Sequence, residues 1–108
     1  MDELGGEPRE SFRRFADFYP FYLSEHAHST SRRLHFAGTA SVLGLTAYAL
    51  ISGRLGLLWL TPIAGYGFAW AGHFFFEKNR PATFRHPFYS LLGDFVMFRD
   101  MIIGRVRW

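Results

Sequence analysis

Polar and apolar positions divide the chain into three zones. Residues 1–33 mix charges with aromatics, residues 34–77 are apolar almost without interruption, and residues 78–108 return to a mixed pattern. The central zone reads LHFAGTASVLGLTAYALI, then SGR, then LGLLWLTPIAGYGFAWAGHFFFE. Each run approaches the roughly 20 residues that cross a bilayer as a helix. The pattern therefore predicts two antiparallel spanning helices, about Ser31 to Ile51 and about Leu55 to Phe76, joined by a tight turn at Ser52-Gly53-Arg54. Ser29, Thr30 and Ser31 are the candidate N-caps of the first, because a hydroxyl can accept the free amide hydrogens of the opening turn. Pro62 either kinks the second helix or belongs to a longer connector that leaves it shorter. Ala37, Gly38, Thr39, Ala40, Ser41, Gly44 and Ala47 face the partner run's Gly65, Gly67, Ala69, Ala71 and Gly72 as close-approach surfaces. A buried soluble helical hairpin is the competing reading.

The flanks carry shorter amphipathic patterns. Pro8 suits the first turn of a helix, with Glu10 favourable beside its positive end. Phe12, Phe15, Ala16 and Tyr19 follow at helical spacing until Pro20, which is expected to disrupt or kink the element. Such a helix lies at a membrane interface or packs on the rest of the domain. Residues 77–83 read as a loop. Pro87 then opens a helix whose stripe of Leu91, Leu92, Phe95, Val96, Phe98, Ile102 and Ile103 is interrupted by Asp94, Arg99 and Asp100. This pattern fits a helix lying along the membrane, with Arg105, Arg107 and Trp108 as interfacial anchors. The expected fold is all-α: a small integral membrane protein with a two-span antiparallel helical hairpin, flanked by N- and C-terminal amphipathic helices, in one domain over residues 1–108.

Charge orients this hairpin. Five arginines precede Leu34 (Arg9, Arg13, Arg14, Arg32, Arg33), Arg54 alone lies in the apolar zone, and Lys78, Arg80, Arg85, Arg99, Arg105 and Arg107 follow it. By the positive-inside rule both termini are cytoplasmic and the hairpin tip is outside, in the inner (cytoplasmic) membrane. The net charge of +3 and pI near 9.7 suit an anionic partner. Because the basic residues flank apolar runs, that partner is read as lipid headgroups, not nucleic acid. Cysteine is absent, which excludes disulfides and thiolate metal sites. The opening MDELGGEPRESFRRF is acidic and polar and does not resemble a signal peptide.

The candidate chemistry lies in five histidines: His26, His28, His35, His73 and His86. In the predicted topology all five fall at the cytoplasmic end of the hairpin. His35 stands where the first run begins and His73 where the second finishes. An ionisable side chain entering the membrane is costly and is usually partnered, and neutral imidazole ligates iron or zinc. Glu77, four residues after His73, shares its helix face. It is a ligand, an orienter of a histidine, or an ion-pair partner of Arg80 or Arg85. His28 reads as a solvated turn residue, His26 as interfacial, and His86 as a group hydrogen-bonding backbone at a helix start.

FYLSEHAHSTSRRLHFAGT, followed by GYGFAWAGHFFFEKNRPATFRHP, resembles the family of iron-dependent 2-hydroxy fatty acid dioxygenases of phytosphingosine α-oxidation. The resemblance rests on Phe21-Tyr22, His26, His35, Gly72-His73, Phe76-Glu77 and Arg80-Pro81-Ala82, and covers about residues 18–90. It implies ferrous iron, dioxygen and a lipid-like 2-hydroxy acid as partners. His26, His35 and His73 are then the expected ligands, with His86 and Glu77 for a fourth position or a supporting, catalytic role. Arg32, Arg33, Arg80 or Arg85 would hold the substrate carboxylate. Two other readings stand beside it: a non-catalytic membrane scaffold or lipid-binding hairpin, and a histidine-ligated haem between the helices. The small-residue faces also suit a homo-oligomer.

Overall fold

The computed structural model describes residues 12–108, and these are helical with no strand. Four α-helices follow in order: α1 (Phe15–Ser24), α2 (Ser29–Ser52), α3 (Leu60–Ala71) and α4 (Pro87–Ile102). A 3₁₀ turn at Leu55–Trp59 leads into α3, a π turn at Gly72–Glu77 leaves it, and a second 3₁₀ turn at Ala82–Phe84 precedes α4. The helix start expected at Pro8 lies outside the described residues.

Several boundaries differ from expectation for identifiable reasons. α1 runs through Pro20. Phe18 and Tyr22, one turn apart on either side of the proline, are both completely buried and hold the helix together across the missing amide hydrogen. α2 begins earlier than Ser31 because His28, not a hydroxyl residue, is its N-cap: the imidazole Nδ1 accepts from the Thr30 amide at 3.2 Å. Gly53, with φ 73°, ends it in the left-handed conformation that glycine adopts without strain. The second apolar run is not one helix. Pro62 sits in the first turn of α3, where its lack of an amide hydrogen costs nothing, and the preceding residues wind as 3₁₀.

α2 and α3 form the antiparallel pair, and part of the expected small-residue seam is used. A Cβ on Gly38 would stand 3.0 Å from the Phe68 Cβ and 3.2 Å from the Gly65 carbonyl. Gly44 and Gly67 face open space. Among the described residues α2 alone is long and apolar enough to cross a membrane. At 24 residues it measures about 36 Å.

The interior departs in part from the usual rule of apolar inside and polar outside. Its buried polar groups include His26, Ser31, His35, Thr39, His73, His86, Ser90 and Asp100. α4 shows the departure most clearly. It turns Ser90, Gly93, Met97, Asp100 and Met101 inward, while Leu91, Leu92, Phe95 and Ile102 of its apolar stripe face out. The inward face is held by polar ties to α1: the Tyr19 hydroxyl donates to Asp100 Oδ2 at 2.8 Å, and the Tyr22 hydroxyl donates to Asp94. Beneath them lies a core of Phe18, Tyr22, Ala82, Met97 and Met101.

Gly93 lets α1 reach α4. A Cβ there would meet the Tyr22 ring at 2.9 to 3.2 Å. Gly93→Ala is expected to lower stability by about 1–3 kcal/mol through overpacking. Gly67→Ala, in open space, is expected to be neutral or stabilising. Thermal unfolding of the two variants under identical conditions checks the contrast.

Candidate metal centre

Three helical segments each deliver one imidazole to the same point. The α1–α2 turn brings His26, the second turn of α2 brings His35, and the π turn after α3 brings His73. One ring nitrogen from each lies within 4.8 Å of the others. The rings are in mutual contact, with centroids 4.3 Å apart for His26–His35, 4.5 Å for His26–His73 and 5.2 Å for His35–His73. All three are at least 95% buried.

Each ring is oriented by a partner on its outer nitrogen. His26 Nδ1 lies 2.7 Å from the Tyr22 carbonyl oxygen, which can only accept, so Nδ1 carries the hydrogen. His73 Nδ1 lies 2.7 Å from Asn79 Oδ1. The Asn79 amide is fixed in turn, because its Nδ2 donates to the Glu25 carbonyl at 3.1 Å. His35 Nδ1 faces the Asp94 carboxylate at 3.4 Å. The His26 and His73 Nδ1 atoms thus face acceptors outside the centre, which leaves their Nε2 atoms free to face into it.

His26 Nε2 and His35 Nε2 are 3.0 Å apart. With the His26 hydrogen on Nδ1, its Nε2 accepts from the Nε2–H tautomer of His35; the other His35 tautomer, with its hydrogen toward Asp94, turns both Nε2 atoms to one cation. The spacing suits two nitrogens on one first-row ion, given imidazole bonds of about 2.0–2.1 Å. Burial, reinforced by the neighbouring His35 and His73, holds the His26 imidazole well below the ordinary histidine pKa, so it is neutral as a ligand must be. Burial and the adjacent Asp94 push the Tyr22 hydroxyl well above its ordinary value and keep it a donor. Rings in direct contact leave no room for a porphyrin among them.

The other expected site residues lie elsewhere. His86 is the N-cap of α4 and packs edge-on to Phe12, Phe18 and Phe21, outside the three-histidine group. Glu77 is also outside it: its Oε2 accepts from the His28 amide at 2.7 Å and fastens the π turn to the start of α2. Arg32 is committed to carbonyls. Its Nη1 donates to His26 and Ala27 at 2.9 and 2.8 Å, and its Nε to Arg107 at 2.7 Å, so it braces the turn that carries His26. Arg33 is exposed. Arg80 and Arg85 line a separate cavity of about 300 Å³ with Phe21, Glu25 and His86. None of these arginines lines the two cavities that reach His35.

Asn79 and Asp94 are site residues that the sequence pattern did not single out. Asp94 had a signal, being an acid inside an apolar stripe, which normally requires a partner. Asn79 had none, since it sits among turn residues.

Loss of His35 or His73 as alanine is expected to abolish metal retention through desalting. Asn79→Ala, which frees the His73 ring, is expected to weaken binding by about 10–100-fold. Elemental analysis and competition with a chromogenic chelator measure both.

Residues 12–106 match the family model described as 2-hydroxy-palmitic acid dioxygenase Mpo1-like. No curated protein and no solved structure matches the chain. With nearly its whole length covered and the three histidines inside the match, the chain belongs to the Mpo1-like family.

Proposed function

We propose that the chain is an iron-dependent dioxygenase that shortens 2-hydroxy fatty acids by one carbon. The overall change is RCH(OH)COOH + O₂ → RCOOH + CO₂ + H₂O, in which the bond between the carboxyl carbon and C2 breaks and dioxygen is the four-electron oxidant. The observation that carries this reading is the group of three buried imidazoles with converging ring nitrogens, in a chain of this family. Ferrous iron held by His26, His35 and His73 would supply a Lewis-acidic, redox-active centre with open positions for the two oxygens of an α-hydroxy carboxylate.

The chain's own residues do the positioning. The Tyr22 carbonyl and Asn79 orient the His26 and His73 rings, and the Asp94 carboxylate lies 3.4 Å from His35 Nδ1. Glu77 and Arg32 hold the turns that present His73 and His26. A half-open cleft of about 190 Å³ between α2, α3 and α4 has His35 and Asp94 on its wall, with Val42, Pro62, Gly65, Leu91 and Phe95 around it. Its apolar lining suits a hydrocarbon tail and keeps water from the reacting end.

The setting is read as a membrane. Outward-facing Ile51, Trp59, Ile63 and Phe75 are each 70% or more exposed, an arrangement costly in water and favourable in lipid. The 3₁₀ turn and α3 together extend about 28 Å, close to the roughly 30 Å hydrocarbon thickness, which supports a second crossing beside α2. Both termini would be cytoplasmic, in the inner membrane, with residues 1–108 acting as one embedded domain.

Protein reconstituted anaerobically with ferrous iron is expected to consume dioxygen with 2-hydroxypalmitate, releasing carbon dioxide and pentadecanoate in equal amounts. Palmitate, without the hydroxyl, should give none. A metal-free protein that shows no uptake after reconstitution overturns the enzyme reading and leaves a membrane scaffold. Reporters placed after Trp108 and at Gly53 are expected on opposite faces.

A further inference from the structure

A second, smaller cavity adjoins His35 and His73 of the three-histidine group. It measures about 10 Å³, the space of one oxygen-sized group, and is lined by Tyr22, Tyr66, Trp70, His35, His73, Ser90 and Asp94 among others. Two polar atoms in its walls have no hydrogen-bond partner, Trp70 Nε1 and Ser90 Oγ, and Ser90 is 97% buried. They come from different helices, α3 and α4. An unpaired buried donor carries its full desolvation cost, so two of them on one small chamber mark a place where an acceptor belongs. Ser31 Oγ is also unpartnered, but it is packed against Gly72 and lines neither cavity.

The chemistry of the walls selects the occupant. Indole N–H can only donate, and the Ser90 hydroxyl can donate beside it. Asp94 brings negative charge to the same chamber, but its carboxylate already receives the Tyr22 hydroxyl and faces His35 Nδ1. The chamber and the apolar cleft share His35, Tyr66 and Asp94 on their walls. An oxygen-sized chamber with two unpaired donor groups thus lies beside the tail cleft, across shared walls, and beside His35 and His73 of the imidazole group. That sequence of environments matches a carboxylate head on a hydrocarbon chain.

We propose that Trp70 and Ser90 are the head-group determinants of this site, donating to one carboxylate oxygen of the acid whose chain lies in the α2–α3–α4 cleft. The assignment rests on the dioxygenase reading and replaces the arginines as the carboxylate's partners. Trp70 and Ser90 set specificity by rejecting molecules that leave their donors unpaired.

The test uses full-length, iron-loaded protein and the variants Trp70→Phe and Ser90→Ala. Trp70→Phe keeps an aromatic ring against Tyr66, Phe74 and Phe84. Ser90→Ala removes a single buried oxygen and guards against a folding defect in the first. Each is expected to raise the KM and the anaerobic dissociation constant for 2-hydroxypalmitate about tenfold. Iron content and the affinity for hexadecanol, which fills the cleft without a carboxylate, should be unchanged. The methyl ester of 2-hydroxypalmitate, standing for an acyl group still esterified in a lipid, should bind the wild type about as weakly as the acid binds the variants. Variants that bind the acid as the wild type does overturn this assignment alone. An ester that binds as tightly as the acid overturns the carboxylate as the occupant. A wild type that neither binds nor oxidises 2-hydroxypalmitate sinks the dioxygenase reading and this assignment with it.

Discussion

The structure depends on one constraint: three buried imidazoles must stay in ring contact, with their outer nitrogens turned toward partners on other elements. A backbone carbonyl of α1 and an amide locked by the Glu25 carbonyl orient the His26 and His73 rings, and a carboxylate of α4 stands 3.4 Å from His35 Nδ1. Much of the remaining polar structure serves those partners. Tyr22 holds Asp94, Arg32 braces the turn at His26, and Glu77 ties the π turn to the start of α2. The interior holds polar groups beside its apolar core because it has this site to support, and much of the apolar stripe of α4 faces outward.

That arrangement explains which parts of the fold were legible in the sequence. The hairpin was readable because long apolar runs with one charge have few other uses, and the small residues of α2 and α3 suggested the seam that Gly38 and Gly65 occupy. His35 and His73 could be grouped because a doubled-back chain returns them to one end, and His26 joined them through the family resemblance. α4 was legible as amphipathic, yet its inward face was not: Ser90, Gly93 and Asp94 look like interruptions of a stripe until the stripe is seen to face outward. Sequence periodicity reports two faces of a helix and not which one the protein keeps.

Three candidate site residues also have local structural partners. Glu77 was a candidate for its place one turn after His73, and His86 and Arg32 through what the family resemblance implies. In the fold each satisfies backbone or packs at a helix end, where a short-range role is available that periodicity does not register. His28 is the converse case: a residue read as solvated caps α2. Asn79 was invisible because its importance comes from two partners far apart in the chain, His73 and Glu25.

The widened coil at Gly72–Glu77 makes the chain's tolerance to length changes uneven. A π turn holds about one residue more than an α turn, and this extra residue sets the angle between His73 and the segment carrying Asn79. An insertion in the 3₁₀ connector before α3 can be absorbed at the rim without touching the imidazoles. A deletion within 72–77 would tighten the coil, swing His73 by roughly 100° against its Asn79 latch, and dismantle the centre while leaving every ligand present in the chain.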